Sequence, residues 1–147
     1  IMFEAALAGK PINVLGDPDQ PHTFTYIRDF ARALVVLSER SEAYGRAWHV
    51  PSAKTLTTRT FVERVEEVVQ RPLKIRAAGK LMVSLLGVVN PTMREFKEMM
   101  YEFEEPYIVD HSQFTAVFGN GASGMAPTPH DTAIAETVAW YRQQATA

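Results

Sequence analysis

The sequence predicts a mixed α/β (α+β) domain in which short strands are interleaved with about six helices. Three observations carry that expectation. INVLG, TFTY, AWHV and LKIR are short runs with the apolar content or period-two alternation of strands. Between them lie longer segments with apolar residues at helical spacing. Pro, Gly and Asp cluster at the joints, as in DPDQP at 17–21, and no internal repeat is visible. At 147 residues the length suits one domain with a sizeable core, over 1–147.

In chain order, MFEAALAGKP reads as the end of a helix, with Gly9 suited to the left-handed position past its end and Pro11 stopping it. Because residue 1 is Ile and that helix is already under way, a preceding segment is expected. INVLG at 12–16 is a strand and DPDQP a turn. TFTY at 23–26 alternates as a half-buried strand, and Asp29 is placed as N-cap of a helix from Phe30 to Ser38. That helix is apolar nearly all round, which predicts covering on more than one side. Gly45 then leads into the strand AWHV.

Thr57 or Thr58 opens the next helix, with Phe61, Val62, Val65, Val68 and Val69 on one face, and Pro72 closes it. LKIR at 73–76 is a strand, and the apolar run 81–89 a short buried helix. From Pro91 to Phe103, Met93, Phe96, Met100 and Phe103 form one helical stripe. PYIV is extended, Ser112 to Phe118 a short helix, and 120–127 a mobile loop. The last helix has Thr128 as N-cap and Pro129 at its first position, and it runs to Gln143.

Composition narrows the function classes. A formal net charge of -2, with 22% charged residues, argues against a nucleic-acid footprint. The absence of cysteine excludes disulfides and thiolate metal sites. The longest apolar run is far short of the roughly 20 residues that span a bilayer, and no signal peptide is visible. The expected setting is cytoplasmic, with no membrane partner. His22, His49, His111 and His130 are scattered without metal-ligand spacing. No GxSxG, HExxH or GxxxxGK[ST] motif occurs, and the one GxGxxG spacing, GNGASG at 119–124, follows the expected helix Ser112 to Phe118 rather than a strand.

The order of motifs carries more than any one of them. AGKP, INVLGDPDQ, HTFTYIRDFARALVVL, a Gly-preceded strand, a Thr-capped helix, and the closing YIVDHSQFTAVFG and PTPHDTAIAETVAWYR together resemble the C-terminal, substrate-binding half of an extended short-chain dehydrogenase/reductase. The subgroup is the NAD-dependent epimerase/dehydratase family, whose nucleotide-binding layer is of Rossmann type. The resemblance implies that residues 23–50 complete an upstream nucleotide-binding sheet. It also implies NAD or NADP as cofactor of the complete enzyme, none being held by this chain alone.

The family's glycine motif and Tyr-xxx-Lys pair fall upstream of the matching region. The residues four beyond Tyr26, Tyr44, Tyr101, Tyr107 and Tyr141 are Phe30, Trp48, Glu105, His111 and Ala145, so no catalytic residue is assigned. His22 and Met100 stand where nucleotide-sugar members resembling this chain place arginines, which points away from a diphosphate-bearing substrate. Arg28 and Arg94 are the nearby cations that would compensate. The resemblance makes His22, Phe24, Met100 and Tyr107 the candidate substrate-binding residues. Expected partners are an upstream domain or second chain covering Phe30, Leu34 and Leu37, a small-molecule substrate, and further copies of the chain. The alternative is a stand-alone, non-catalytic ligand-binding or protein-interaction domain.

Overall fold

The computed structural model describes residues 2–88, 90–119 and 125–145. Its order is α1 (Met2–Leu7), β1 (Ile12–Leu15), β2 (Pro21–His22), α2 (Ile27–Ser38), a 3-10 turn (Ser41–Ala43), β3 (Leu56–Thr57), α3 (Thr58–Val69), β4 (Ile75–Ala78), α4 (Lys80–Gly87), α5 (Pro91–Met99), α6 (Tyr101–Glu104), α7 (Ser112–Phe118) and α8 (His130–Gln144). The mixed α/β class is as expected, with eight α-helices among the described residues. The chain divides into two compact units: unit 1 comprises 1–22, 56–107 and 134–147, and unit 2 comprises 23–55 and 108–133.

Unit 1 is organised around a two-stranded parallel sheet, β1 on β4, in the register Ile12↔Ile75 to Leu15↔Ala78. One face of it joins a core of Ala6, Ile12, Val62, Val65, Ile134 and Val138, drawn from α1, β1, α3 and α8. The sequence signals for α3 were local and hold: Thr57 caps it, its side chain accepting from the Thr60 N–H at 3.0 Å. The helix ends on Gln70 in the left-handed conformation, two residues before Pro72. Gly9, with φ of 66°, closes α1, where the Lys10 N–H reaches the Ala5 carbonyl. The LKIR strand is displaced to Ile75–Ala78.

Two expectations in unit 1 change. The helix expected over 81–89 is α4, but Leu81, Met82 and Leu85 are exposed and only Val83 among its described side chains is buried. Val89 lies outside the described residues. The helix expected from Pro91 to Phe103 is divided into α5 and α6 around Met100.

Unit 2 is built on Ala33, Ala43, Val50, Phe114, Phe118 and Met125, with Trp48 packed edge-on to Phe118 at 4.9 Å. Neither TFTY nor AWHV is a strand. A ladder needs a neighbour to bond to, and here side chains tie the extended residues instead. The Thr25 and Ser52 hydroxyls are 2.7 Å apart, and Thr23 Oγ1 accepts from the Val109 N–H.

Helix α2 begins at Ile27, not Phe30, so Asp29 is in its first turn rather than at its cap. The Asp29 carboxylate is buried and accepts the Thr128 N–H and hydroxyl, both at 2.7 Å, and the Arg32 guanidinium. Burial is the largest influence on this carboxyl and opposes its ionisation. The bonds from Thr128 and then Arg32 outweigh it and hold its pKa below the usual carboxylate value. Thr128, expected as the cap of the last helix, thus spends its hydroxyl on Asp29, and α8 starts at His130.

The nearly all-round apolar character of α2 resolves into two sides. Ala33, Val36 and Leu37 pack on the core of unit 2, while Ile27, Phe30, Leu34 and Val35 are exposed. Leu37 therefore leaves the outward stripe that the sequence assigned to it. Of the loop 120–127, residues 120–124 lie outside the described residues, and Met125 is buried. No helix among the described residues is long and apolar enough to cross a membrane.

Candidate functional site

His22 and Tyr107 are brought together in unit 1 by a patch of backbone pairing. β2 pairs antiparallel with β3, Pro21 opposite Thr57 and His22 opposite Leu56. On its other side His22 bridges in parallel to Tyr107, whose N–H reaches the Pro21 carbonyl at 2.9 Å. The two rings lie nearly parallel, centroids 6.3 Å apart at 29°. His22 is half-buried and Tyr107 is 48% exposed, so the pair forms an aromatic shelf with an imidazole and a phenol at the surface of unit 1.

Three contacts hold that shelf. Gly16 has φ of 69°, and a Cβ there would come within 2.2 Å of the Phe103 carbonyl oxygen. Only glycine lets the 101–107 segment approach this closely. The Asp17 N–H then bonds that same carbonyl at 3.0 Å. Beyond the turn, Arg59 grips Asp19 through both forks, Nε to Oδ1 at 2.6 Å and Nη2 to Oδ2 at 2.8 Å. The hydrogen bond from Arg59 holds the exposed Asp19 carboxyl below its ordinary pKa.

Met100 is wholly buried in unit 1 and presents no surface of its own. Its carbonyl accepts the Phe103 and Glu104 N–H groups, so it anchors the segment that leads to Tyr107. Phe24 is half-buried and belongs to unit 2. Arg94 is exposed, its Nε 3.8 Å from Glu95, and Arg28 is exposed on α2. Among the described residues no cluster of His, Asp or Glu suits a metal ion. The shelf can stack on a planar or apolar group and exchange hydrogen bonds with a carbonyl or hydroxyl. Among the described residues it holds no fixed cationic fork of the kind a diphosphate favours.

The residues that build the shelf were less legible than those on it. Gly16 sits before a Pro- and Asp-rich turn, the one local signal that a left-handed residue is needed there. The Asp19–Arg59 pair spans 40 positions and leaves no local trace.

No family model and no curated protein matches this sequence. Its fold, however, recurs in parts of solved enzyme structures, several of them in complex with NAD. The UDP-glucuronic acid 4-epimerase from Bacillus cereus, in complex with UDP-glucuronic acid and NAD, superposes with a TM-score of 0.69 at 16% identity, over 97% of this chain and 38% of that one. A GalE-like L-threonine dehydrogenase from Cupriavidus necator gives 0.67 at 17%, over 95% and 39%. The enzyme WbmH from Bordetella bronchiseptica, in complex with NAD+, gives 0.56 at 20%, over 96% and 38%.

This chain therefore shares its fold with part of each of these solved enzymes. More particularly, the fold is shared with part of a UDP-glucuronic acid 4-epimerase and part of a GalE-like L-threonine dehydrogenase. This chain spans about two-fifths of their length.

Proposed function

We propose that the chain is the substrate-binding portion of an NAD(P)-dependent epimerase, dehydratase or reductase. An upstream nucleotide-binding domain or a second chain supplies the cofactor site and the Tyr-xxx-Lys pair. The observation that carries this reading is the lopsided fold likeness, nearly the whole of this chain against 37% to 40% of each solved epimerase or dehydrogenase. NAD or NADP bound in the complete enzyme would give or take the hydride. His22 and Tyr107 would contact and orient the substrate, with Met100 anchoring the segment that leads to Tyr107.

The substrate is not a nucleotide sugar in this reading. The ring shelf favours a less anionic carbonyl compound or alcohol. Residues 23–50 would complete the upstream sheet, and the setting is cytoplasmic.

The test has two parts. Mass determination of the natural protein is expected to exceed that of the 147 residues, or to reveal a tight second chain. Calorimetric titration of the 147-residue chain alone with NAD and NADP is expected to give no binding tighter than about 1 mM and no dehydrogenase activity. A micromolar dissociation constant for either cofactor would overturn the division of labour. A natural protein no longer than this chain, with no second chain, would favour the non-catalytic binding domain.

A further inference from the structure

β1 and β4 place register partners side by side: Ile12 with Ile75, Asn13 with Arg76, Val14 with Ala77, and Leu15 with Ala78. Successive side chains of a strand point to opposite faces. Ile12 is buried in the unit 1 core with Val14 and Ile75 packed against it, so Asn13, Arg76, Leu15 and Ala78 share the other face. That face is concave. With Met82 of α4 it bounds a pocket of about 470 Å³, within the range of small-molecule sites.

Its chemistry is divided along its length. At one end stand the Asn13 amide and the Arg76 guanidinium, and among the described residues neither side chain has an ion-pair or hydrogen-bond partner. At the other end Leu15, Ala78 and the half-exposed Met82 offer an apolar wall. Methionine adapts to irregular apolar shapes. Among the described lining residues Arg76 is the one cation. A planar guanidinium beside an amide matches a single carboxylate in bidentate fashion, whereas a phosphate group, with a charge of about -2, favours a second cation.

We propose that the outer face of β1 and β4 is a binding site for a small amphipathic monocarboxylate. Its carboxylate is held by Arg76 and Asn13, and its apolar body lies on Leu15, Ala78 and Met82. This deepens the substrate-side reading and rests on it only for the ligand's being a substrate.

The probe is octanoate, with octanol as its uncharged counterpart and uridine monophosphate as an anionic competitor. In amide-resolved NMR titrations of the 147-residue chain, octanoate is expected to shift Asn13, Leu15, Arg76 and Ala78. The expected dissociation constant is about 1 mM or lower. Arg76→Gln is expected to weaken octanoate about tenfold and leave octanol unchanged. Met82→Glu should weaken both. Arg76 and Met82 are exposed, so both variants are expected to keep the parent spectrum.

Absence of shifts at these residues, unchanged octanoate affinity in Arg76→Gln, or tighter binding of uridine monophosphate than of octanoate would each overturn the proposal. No nicotinamide cofactor enters this titration. Its failure therefore removes the ligand class alone, while the cofactor assays decide the enzymatic reading.

Discussion

Replacing Asp29 with Asn removes a buried charge from the centre of a three-way contact. The amide can still accept one bond, but its NH2 group then meets a Thr128 donor, leaving a buried donor unpaired. A loss of about 2 kcal/mol is expected at pH 7, read from urea unfolding. The same carboxyl sets a pH dependence. Its folded pKa lies below its unfolded value near 3.8, so the folded state binds its proton less readily. The stabilisation is fully present above about pH 5 and is lost as pH falls through the depressed folded value. The wild-type and Asp29→Asn unfolding curves should accordingly converge toward pH 3; a gap constant from pH 7 to pH 3 would contradict the role given to the charge. Local reading made Asp29 a helix cap because a carboxylate before an apolar run commonly is one. Its real partner lies 99 positions later, beyond the reach of any local pattern.

At the scale of elements, α2 carries the clearest consequence. Ile27, Phe30, Leu34 and Val35 are 70%, 43%, 52% and 55% exposed, one contiguous apolar face on a helix whose other side is committed to unit 2. Such a face marks an interface or promotes association. The chain made alone is expected to bind a hydrophobic dye and to sediment as concentration-dependent oligomers. Replacing Ile27, Phe30 and Leu34 together with Ser should suppress both behaviours while changing the unfolding midpoint little. A wild-type chain that stays monomeric and dye-free at high concentration would show that this face needs no cover.

Elements with self-contained signals, such as α3 with its Thr57 cap and valine stripe, were legible from the sequence. TFTY and AWHV were not: alternation reports which residues suit a pleated surface, while a strand exists only where a neighbour completes its ladder. Helix α5 likewise could not be told from α6, because the break at Met100 serves the approach of Phe103 to Gly16, a tertiary demand.

For the whole molecule, the two units are interwoven along the chain. Unit 1 takes Ile134 and Val138 from α8 into a core otherwise made by α1, β1 and α3. Each such apolar side chain is worth about 2–5 kcal/mol in a packed core, and a domain's net stability is only about 5–15 kcal/mol. A chain ending at residue 133 is thus expected to lose slow amide exchange in β1 and α3. Retained protection there would mean that α8 is dispensable to unit 1. The class of fold was readable from the alternation of short strands and helices, while motif order offered His22 and Tyr107 as separate candidates and gave no sign that their rings pair. The division into units was not, since it depends on which distant segments share a core.

That interweaving also has a meaning in time. A ribosome delivers the chain from its N-terminus, and α1, β1 and α3 leave it with the hydrophobic side meant for Ile134 and Val138 still bare. Unit 1 waits through the synthesis of all of α7 and the segment that follows before its last two core residues arrive. During that interval its apolar surface is open to chaperones or to neighbouring nascent chains on the same message. A rare-codon pause placed just before α8 would lengthen the exposure, and faster translation there would shorten it.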